Sequence, residues 1–336
     1  MSSTSSTDEA TQPKPTTASS SSPPSSFLHG TAMLVIWGSV DHPSTTNTNT
    51  NTDTDTNTTT AVDETALNAW WTNEHLPERL AIPGFHRTRR YYTQTAQTTQ
   101  TTLDNTQTQT KIQTPVSPSP SSQYLVTYEV SSLSTLTSPA YMSALNNPTE
   151  GTKRFMPVLA AMNRSACRVL YSVAREEFSG TSTTTGDHSS TRRTGIGAAL
   201  AHIVFQPPSG TQDNLSKWIE EIGWPSLAAF PTPLAMHLLE HDDEATKSGS
   251  GTKSYEDVKF QTNTNMNPGE GEGEGESGSG SKGRSRWMLL IEFAEPLGAP
   301  IAKASALTGT VVDKLDEMDA KEIDVRLYGL ICTVSE

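Results

Sequence analysis

The chain has 336 residues and a formal net charge of −13 at pH 7. This acidity argues against nucleic acid as a partner, because binding phosphates needs a basic face. Only 33% of the residues are hydrophobic and 7% aromatic, which is below the composition of an average globular domain, so the chain is predicted to combine folded and unfolded parts.

The first residues and the cysteines exclude several further classes. The N-terminus lacks a basic start followed by an apolar core, so no secretory signal is predicted. No apolar run reaches the ~20 residues that a membrane helix needs. Cys167 and Cys332 are too few for a disulfide framework and lack the spacing of metal ligands. We therefore expect a cytoplasmic protein that has no membrane contact and holds no metal.

Five stretches lack apolar residues at the helical or strand period, so they cannot offset the entropy of ordering. They are predicted to be disordered and comprise a tail at 1–26, inserts at 41–62, 93–122 and 243–284, and a linker at 178–194. The remainder suits two compact domains of about 100 residues each. We place them at 27–177 and 195–336.

The first domain predicts six elements in the order β-α-β-β-α-β, the split βαβ motif. Its strands are predicted at 32–40, 85–92, 124–130 and 166–173. Its helices are predicted at 63–76 and 138–155. Asp63 can cap the first helix, and Pro77 is expected to end it because the residue before a proline avoids the helical region.

The second domain repeats this order. Its strands are predicted at 198–205, 233–240, 287–293 and 323–334, and its helices at 213–222 and 305–318. Trp70, Pro77 and Pro83 correspond to Trp218, Pro225 and Pro231, each 148 residues later (70 to 218, 77 to 225, 83 to 231). The matching order and spacing indicate a tandem duplication.

A unit of this kind has helices on one face of its sheet, so its other face needs cover. Strand 124–130 is largely apolar on both faces, as expected for a strand covered on both sides. The predicted fold is therefore α+β, with two tandem ferredoxin-like units packed sheet to sheet as an intramolecular α+β barrel. Glu129 and Glu292 occupy equivalent strand positions, with Arg168 and Arg326 as their expected structural partners.

Residues 70–92 concentrate titratable and aromatic side chains past a predicted helix end. The pattern comprises Trp71, Glu74, His75, Pro77 and Arg79, followed by Pro83-Gly84-Phe85 and Arg90-Tyr91. Over residues 31–173 the chain resembles the EthD-type branch of the dimeric α+β barrel superfamily, particularly its tandem-domain fungal versions. The resemblance implies a protein without a cofactor that binds small hydrophobic or aromatic molecules between helices and sheet. Some relatives tailor polyketides, and many others have no assigned activity.

The candidate catalytic residues are His75, Glu74 and Arg79. Imidazole can exchange a proton at neutral pH, Glu74 could orient it, and Arg79 could hold an enolate or carboxylate. The candidate ligand contacts are Trp71, Phe85, Tyr91 and Tyr128. The structural alternatives are a helix-end His75 bonded to Glu78 or a carbonyl, surface ion pairs for Glu74 and Arg79, and a core position for Trp71.

Two functions compete, and a third is weaker. The first is a cofactor-independent lyase, dehydratase or oxygenase-like tailoring enzyme that acts on an aromatic or polyketide-like compound. The second is a non-catalytic barrel protein with a structural or ligand-sequestering role. The third is a heme enzyme with His75 on iron, for which no accompanying distal residues are found. Glu74, His75 and Arg79 correspond to Ile222, Gly223 and Leu227 in the second domain, which favours one pocket in the first. Further self-association is left open.

Overall fold

A computed structural model of the protein describes residues 28–40, 63–93, 123–159, 162–175, 197–208, 210, 212–256, 258, 286–294 and 301–335. The predicted tail, the predicted linker and most of the three predicted inserts lie outside these residues. Among the described helices, none is both long and apolar enough to cross a membrane.

Eight antiparallel strands close into one barrel in the order β1-β3-β2-β8-β5-β7-β6-β4. The strands are β1 (Ala32–Ser39), β2 (Phe85–Thr93), β3 (Gln123–Val130), β4 (Asn163–Ala174), β5 (Ala199–Gln206), β6 (Pro233–His241), β7 (Trp287–Phe293) and β8 (Lys321–Ser335). The first half therefore contributes β4-β1-β3-β2 and the second half β8-β5-β7-β6. The pairs β2–β8 and β4–β6 join the halves and leave no open edge.

Strands β1, β3, β5, β6 and β7 are buried on both faces because helices cover the outside and side chains fill the interior. In β1, Leu34 and Ile36 point outward into the hydrophobic core beneath the first-half helices. Met33, Val35 and Trp37 point inward into the core of the barrel. A second outer core lies beneath the helices of the other half. This double burial explains why the sequences of these five strands are mostly apolar.

The described helices are short, except for the last. They are α1 (Glu64–Trp70), α2 (Leu76–Leu80), α3 (Pro139–Asn146), α4 (Glu150–Phe155), α5 (Gln212–Trp218), α6 (Trp224–Ala228), α7 (Asp243–Lys247) and α8 (Ile301–Glu317). The helix expected at 138–155 is divided into α3 and α4. Asn147 leaves the helical conformation before Pro148, and Thr149 then caps α4 by accepting a hydrogen bond from the Thr152 amide.

The prediction that Pro77 ends the first helix is wrong. The Asp63 carboxylate caps α1, and a π-helical turn (Trp71–His75) then joins α1 to α2, which contains Pro77. The Leu76 amide donates to the Trp71 carbonyl, five residues back. Because this turn is wider than an α-helical one, the chain can pass the proline ring without the usual break.

The second half repeats this arrangement of two α-helices joined by a π-helical turn, at a constant spacing in the sequence. Its α5, its π-turn (Ile219–Gly223), α6 and β6 begin 148 residues after their first-half counterparts (64 to 212, 71 to 219, 76 to 224, 85 to 233). Pro225 follows the π-turn as Pro77 does. The spacing of the tryptophans and prolines in the sequence therefore reflects equivalent positions in space.

Residues 243–256 were assigned by the sequence to an insert, and the structure corrects that boundary. Asp242 caps α7, and a 3-10 turn (Lys253–Tyr255) follows. We call residues 242–256 the crossing segment, because they leave the second half and pack on the first. Ala245 and Tyr255 lie in the first half's outer core, and the Ser248 hydroxyl donates to the Leu136 carbonyl at 3.1 Å. The docking of a few apolar side chains on another element orders this polar stretch.

Candidate functional site

A ladder of buried charges crosses the interior of the barrel. The Arg87 Nε donates to the Glu129 carboxylate at 2.8 Å and the Arg89 Nη2 does so at 3.0 Å. Arg89 also donates to Glu292, which lies 3.1 Å from His237 Nε2. Burial alone would raise the pKa of Glu292, but the Arg89 charge outweighs it and holds that pKa far below its usual range. The positive charges of the ladder are paired with its negative charges, which is typical of a structural network.

This ladder corrects the predicted partners of the two glutamates. Arg168 is exposed on β4 and lies 3.9 Å from Asp242. Arg326 donates to Asp324 at 3.1 Å and to Gln123 at 2.7 Å. Neither arginine reaches Glu129 or Glu292 in the described contacts.

A second group of polar side chains lies outside the barrel wall, between the first helix and the sheet. Leu67, Trp71, His75 and Arg79 form one stripe, and all four are buried because the helix continues through the π-turn. π-Turns of this kind are frequent at functional sites. The spacing of four residues in the sequence corresponds to this shared face.

His75 is 7% exposed, and its ring centroid lies 4.8 Å from that of Trp70. Its Nδ1 is 3.8 Å from the Glu78 carboxylate and has no hydrogen-bond partner among the described residues. Burial, reinforced by the Arg79 charge, holds the pKa of His75 well below the ordinary value of a histidine. The imidazole is therefore neutral at neutral pH and can accept a hydrogen bond at one ring nitrogen, and its lowered pKa makes it a weaker base than a free histidine.

Arg79 is 4% exposed and lies beside His75 on the same stripe. Its Nη2 is 3.9 Å from Glu78 Oε2, while its Nη1 has no partner in the described structure. Burial raises the pKa of the half-buried Glu78. Contacts of this length are too long for hydrogen bonds. Buried polar atoms without a hydrogen-bond partner around the stripe include Trp70 Nε1, His75 Nδ1, Glu78 Oε2 and Arg79 Nη1. Such atoms are rare in folded proteins, and each needs an explanation.

Aromatic residues from the neighbouring strands line this layer. Phe85 on β2 and Tyr128 on β3 are buried with ring centroids 6.0 Å apart. Burial raises the pKa of Tyr128, so its hydroxyl stays protonated. Trp71 lies 4.7 Å beneath the Arg90 guanidinium. Trp71, Phe85 and Tyr128 thus share the layer with His75 and Arg79.

The structure does not bring Glu74 and Tyr91 into this group. Glu74 is exposed and accepts a hydrogen bond from the Thr149 hydroxyl at 2.5 Å. Tyr91 points into the barrel interior, so the sheet separates it from His75. Its hydroxyl has no partner among the described residues.

Three further residues complete the layer and were not singled out from the sequence. Arg164, at the start of β4, donates to the Tyr141 hydroxyl at 3.3 Å and to the Thr246 carbonyl. Its guanidinium lies 5.6 Å from the Tyr255 ring centroid. The sequence offered no signal for them, because Tyr141 lies in an ordinary helix and Tyr255 in a polar stretch.

A cavity of about 450 Å³ lies beside this layer. Its lining residues come from the α3–α4 connection, the turn after α4 and the end of the crossing segment, and include Asn147, Lys153, Met156, Lys253 and Ser254. Ser254 immediately precedes the buried Tyr255. None of the residues predicted to be catalytic or ligand-contacting lines this cavity.

The second half lacks the polar group. Ile222, Gly223 and Leu227 stand where the first half has Glu74, His75 and Arg79; Ile222 is exposed and Leu227 belongs to the apolar core. The polar layer is therefore specific to the first half. In the described ranges no group of three or more histidine, cysteine, aspartate or glutamate residues is placed to hold a metal ion.

No protein-family model matches the sequence, and no curated protein matches it significantly. Among solved structures, one described as an anthrone oxidase-like protein has 12% identity and a TM-score of 0.43, with 92% of this chain and 95% of that chain covered. A "putative monooxygenase" from Fusobacterium nucleatum has 7% identity and a TM-score of 0.44, with 92% and 96% covered. Another of that description from Lactobacillus acidophilus has 7% identity and a TM-score of 0.39, with 91% and 96% covered. These scores are too low to assign a family, so the fold rests on the chain's own strand order.

Proposed function

We propose that the barrel consists of two tandem ferredoxin-like units of the EthD type, and that its first half binds a small hydrophobic or aromatic molecule. The strand order shared by the halves and the constant spacing of 148 residues (64 to 212, 85 to 233) support the first part. The second part rests on the motif around His75 and on its surroundings.

The observation that carries the proposal is the set of buried polar atoms without partners beside aromatic side chains. Ligand sites combine mostly apolar walls with a few polar groups that fix orientation. Trp71, Phe85 and Tyr128 provide the walls, and His75 and Arg79 provide the polar groups. A ligand carbonyl or hydroxyl would satisfy capacity that the protein leaves unused.

The chemistry that this layer supports is acid–base catalysis without a cofactor. The neutral His75 ring can take a proton from a carbon next to a carbonyl. The Arg79 guanidinium, buried in a medium of low dielectric constant, stabilises the negative charge that then develops on oxygen. A lyase or dehydratase step, or the first step of an oxygenase-like tailoring reaction on a polyketide-like compound, begins in this way.

A second candidate function is a non-catalytic barrel that serves a structural or ligand-sequestering role. The packing favours it, because the Trp70 ring stacks with Phe155 at 5.3 Å and lies close to His75. The cavity of about 450 Å³ also lies beside the predicted residues and not among them.

Ligand-induced thermal stabilisation distinguishes these functions. Aromatic ketones and quinones are screened against the wild-type chain and the His75→Ala variant, with His86→Ala as a histidine control outside the layer. A ligand at 100 times its dissociation constant stabilises the folded state by about 2.7 kcal/mol. We expect this stabilisation in the wild type and in His86→Ala, and its loss in His75→Ala at nearly unchanged intrinsic stability.

Two results would count against a ligand site. If His75→Ala lowers the melting temperature and no compound stabilises any of the three chains, His75 is a packing residue and the non-catalytic function stands. If a compound stabilises His75→Ala as much as the wild type, the ligand binds elsewhere.

A further inference from the structure

The helix–sheet layer of the first half holds more positive than negative buried charge. Arg79 and Arg164 are 4% and 5% exposed. The Glu78 carboxylate is only half-buried and contacts Arg79 at 3.9 Å. The groups that act most on Arg164 in the described structure are the phenols of Tyr141 and Tyr255. Buried charges are normally paired, because burial of an isolated ion is costly. The arrangement therefore calls for a further anion close to both guanidiniums.

Tyr141 is placed to be that anion. It is 1% exposed, and its hydroxyl accepts a hydrogen bond from Arg164 Nη2 at 3.3 Å. The Tyr255 hydroxyl on the crossing segment hydrogen-bonds with it. Arg79 and Tyr128 act on it electrostatically from α2 and β3. Two positive groups and two phenols thus act on this oxygen.

The electrostatic balance supports this geometry. Burial raises the pKa of Tyr141, but the charges of Arg164 and Arg79 and the hydrogen bonds from Arg164 and Tyr255 outweigh it, so its pKa lies below the ordinary value of a tyrosine. Burial raises the pKa of Tyr255 and of Tyr128. One phenol of the three is thereby selected to ionise.

We propose that Tyr141, in place of His75, is the proton acceptor of the first-half site, with its phenolate form favoured by Arg164 and Arg79 and its oxygen covered by Tyr255 of the crossing segment. The ligand class is an aromatic ketone with a hydrogen on the carbon next to its carbonyl. That proton passes to the Tyr141 oxygen, and the electron pair of the broken C–H bond is retained as an enolate whose oxygen Arg79 holds. Arg164 is a positioning residue that acts through Tyr141. Only the choice of ligand rests on the proposed function.

The ionisation is tested without any ligand. The chain has eight tyrosines, and the ultraviolet absorbance of tyrosinate is followed as the pH of the full chain is raised. We expect one tyrosine to ionise ahead of the others in the wild type and in a Tyr128→Phe control. This early step disappears in Tyr141→Phe and moves to higher pH in Arg164→Gln. If Tyr141→Phe titrates as the wild type does, the proposal is overturned.

The Arg164→Gln variant is open to misfolding, because Arg164 also holds the crossing segment. The carbon-13 resonances of labelled tyrosine rings in the wild type and in Tyr141→Phe then decide the same question. A ring carbon that titrates below the ordinary pH range of tyrosine, absent from Tyr141→Phe, supports the proposal. If no ring titrates below that range, the proposal is overturned.

The proton transfer is tested with 1-tetralone in D₂O, where magnetic resonance measures the exchange of the hydrogens next to its carbonyl. We expect the wild type to catalyse this exchange. In Tyr141→Phe the exchange rate should fall by ~10²–10⁴-fold, a typical effect of removing a general base. Tyr171→Phe, a control whose ring packs against the core of the second half, keeps the rate. Equal rates in the wild type and Tyr141→Phe overturn the assignment and leave His75 as the base. If no chain catalyses exchange while the early tyrosine is present, the proposed ligand class fails and the phenolate stands.

Discussion

His202 is a single residue whose surroundings conflict with its polarity. It lies fully buried inside the barrel, and neither ring nitrogen has a hydrogen-bond partner in the described structure. The Trp37 ring meets it edge-on at 5.1 Å. Burial, with the Arg326 charge as a smaller cause, lowers the pKa of His202 to about 3. The neutral ring thus fills a position among apolar side chains, and both of its nitrogens remain without a hydrogen bond in the described structure.

This environment predicts an acid-sensitive component of stability. Below the ordinary histidine pKa of about 6.5, the unfolded chain takes up a proton at His202 and the folded chain does not. The free energy of unfolding therefore falls as the pH drops, by on the order of 2 kcal/mol at pH 5 from this residue. Unfolding by urea at pH 7 and pH 5 is compared for the wild type and His202→Leu. We expect the variant to lose less stability between these pH values and to be no less stable at pH 7; an identical pH dependence would contradict this account.

Among the elements, the crossing segment depends on one close contact. Gly249 is buried, and a Cβ there would lie 3.0 Å from a Tyr255 ring carbon and 3.1 Å from Leu145 Cδ1. Gly251, two residues later, has no such neighbour within 4 Å. Gly249 and Gly251 therefore allow the same bulky substitution to be compared at a crowded position and at an open one.

We expect Gly249→Val to displace the crossing segment from α3, because the added methyl groups cannot fit against Tyr255. Amide hydrogen exchange over residues 243–256 should accelerate at least tenfold, while β1 and β7 stay protected. Gly251→Val should leave exchange in the segment close to that of the wild type. Equal exchange in the two variants would show that the contact does not hold the segment in place.

The element order was predictable from the sequence because most strands are short apolar runs and Leu67, Trp71, His75 and Arg79 repeat every four residues. Local rules failed where a wider context decides the outcome. The rule for Pro77 assumes α-helical geometry, which the π-turn replaces. The crossing segment is polar and orders only because Tyr255 inserts into a core formed by distant residues, which no local period reveals.

The candidate site was partly predictable for the same reason. His75 and Arg79 share a helical period with apolar residues, so the sequence placed them on the buried face. Tyr91 and Tyr92 could not be assigned to faces, because both faces of β2 carry arginine and tyrosine. Tyr141 and Arg164 are brought together by the order of elements around the barrel, which the sequence shows only after the fold is known.

At the scale of the whole molecule, the charge ladder in the barrel interior joins the two halves. Arg89 of the first half bonds to both Glu129 and Glu292, and the halves also meet along β2–β8 and β4–β6. Removal of the Glu292 charge, in the second half, therefore leaves Arg89 of the first half buried with less negative charge beside it. Both halves should respond to it together.

We expect Glu292→Gln to lower the free energy of unfolding by about 3–5 kcal/mol, the usual cost of removing one partner from a buried ion pair. Urea unfolding followed by tryptophan fluorescence should remain a single transition. This signal reports on three tryptophans in each half, namely Trp37, Trp70 and Trp71 in the first and Trp218, Trp224 and Trp287 in the second. Arg168→Gln breaks only an exposed contact of 3.9 Å with Asp242 and should cost less than about 1 kcal/mol.

The double variant Arg89→Leu/Glu292→Leu should recover at least half of the stability lost in Glu292→Gln, because apolar replacement removes the uncompensated charge. Two separate transitions in Glu292→Gln, or a loss no larger than that of Arg168→Gln, would show that the ladder does not couple the halves.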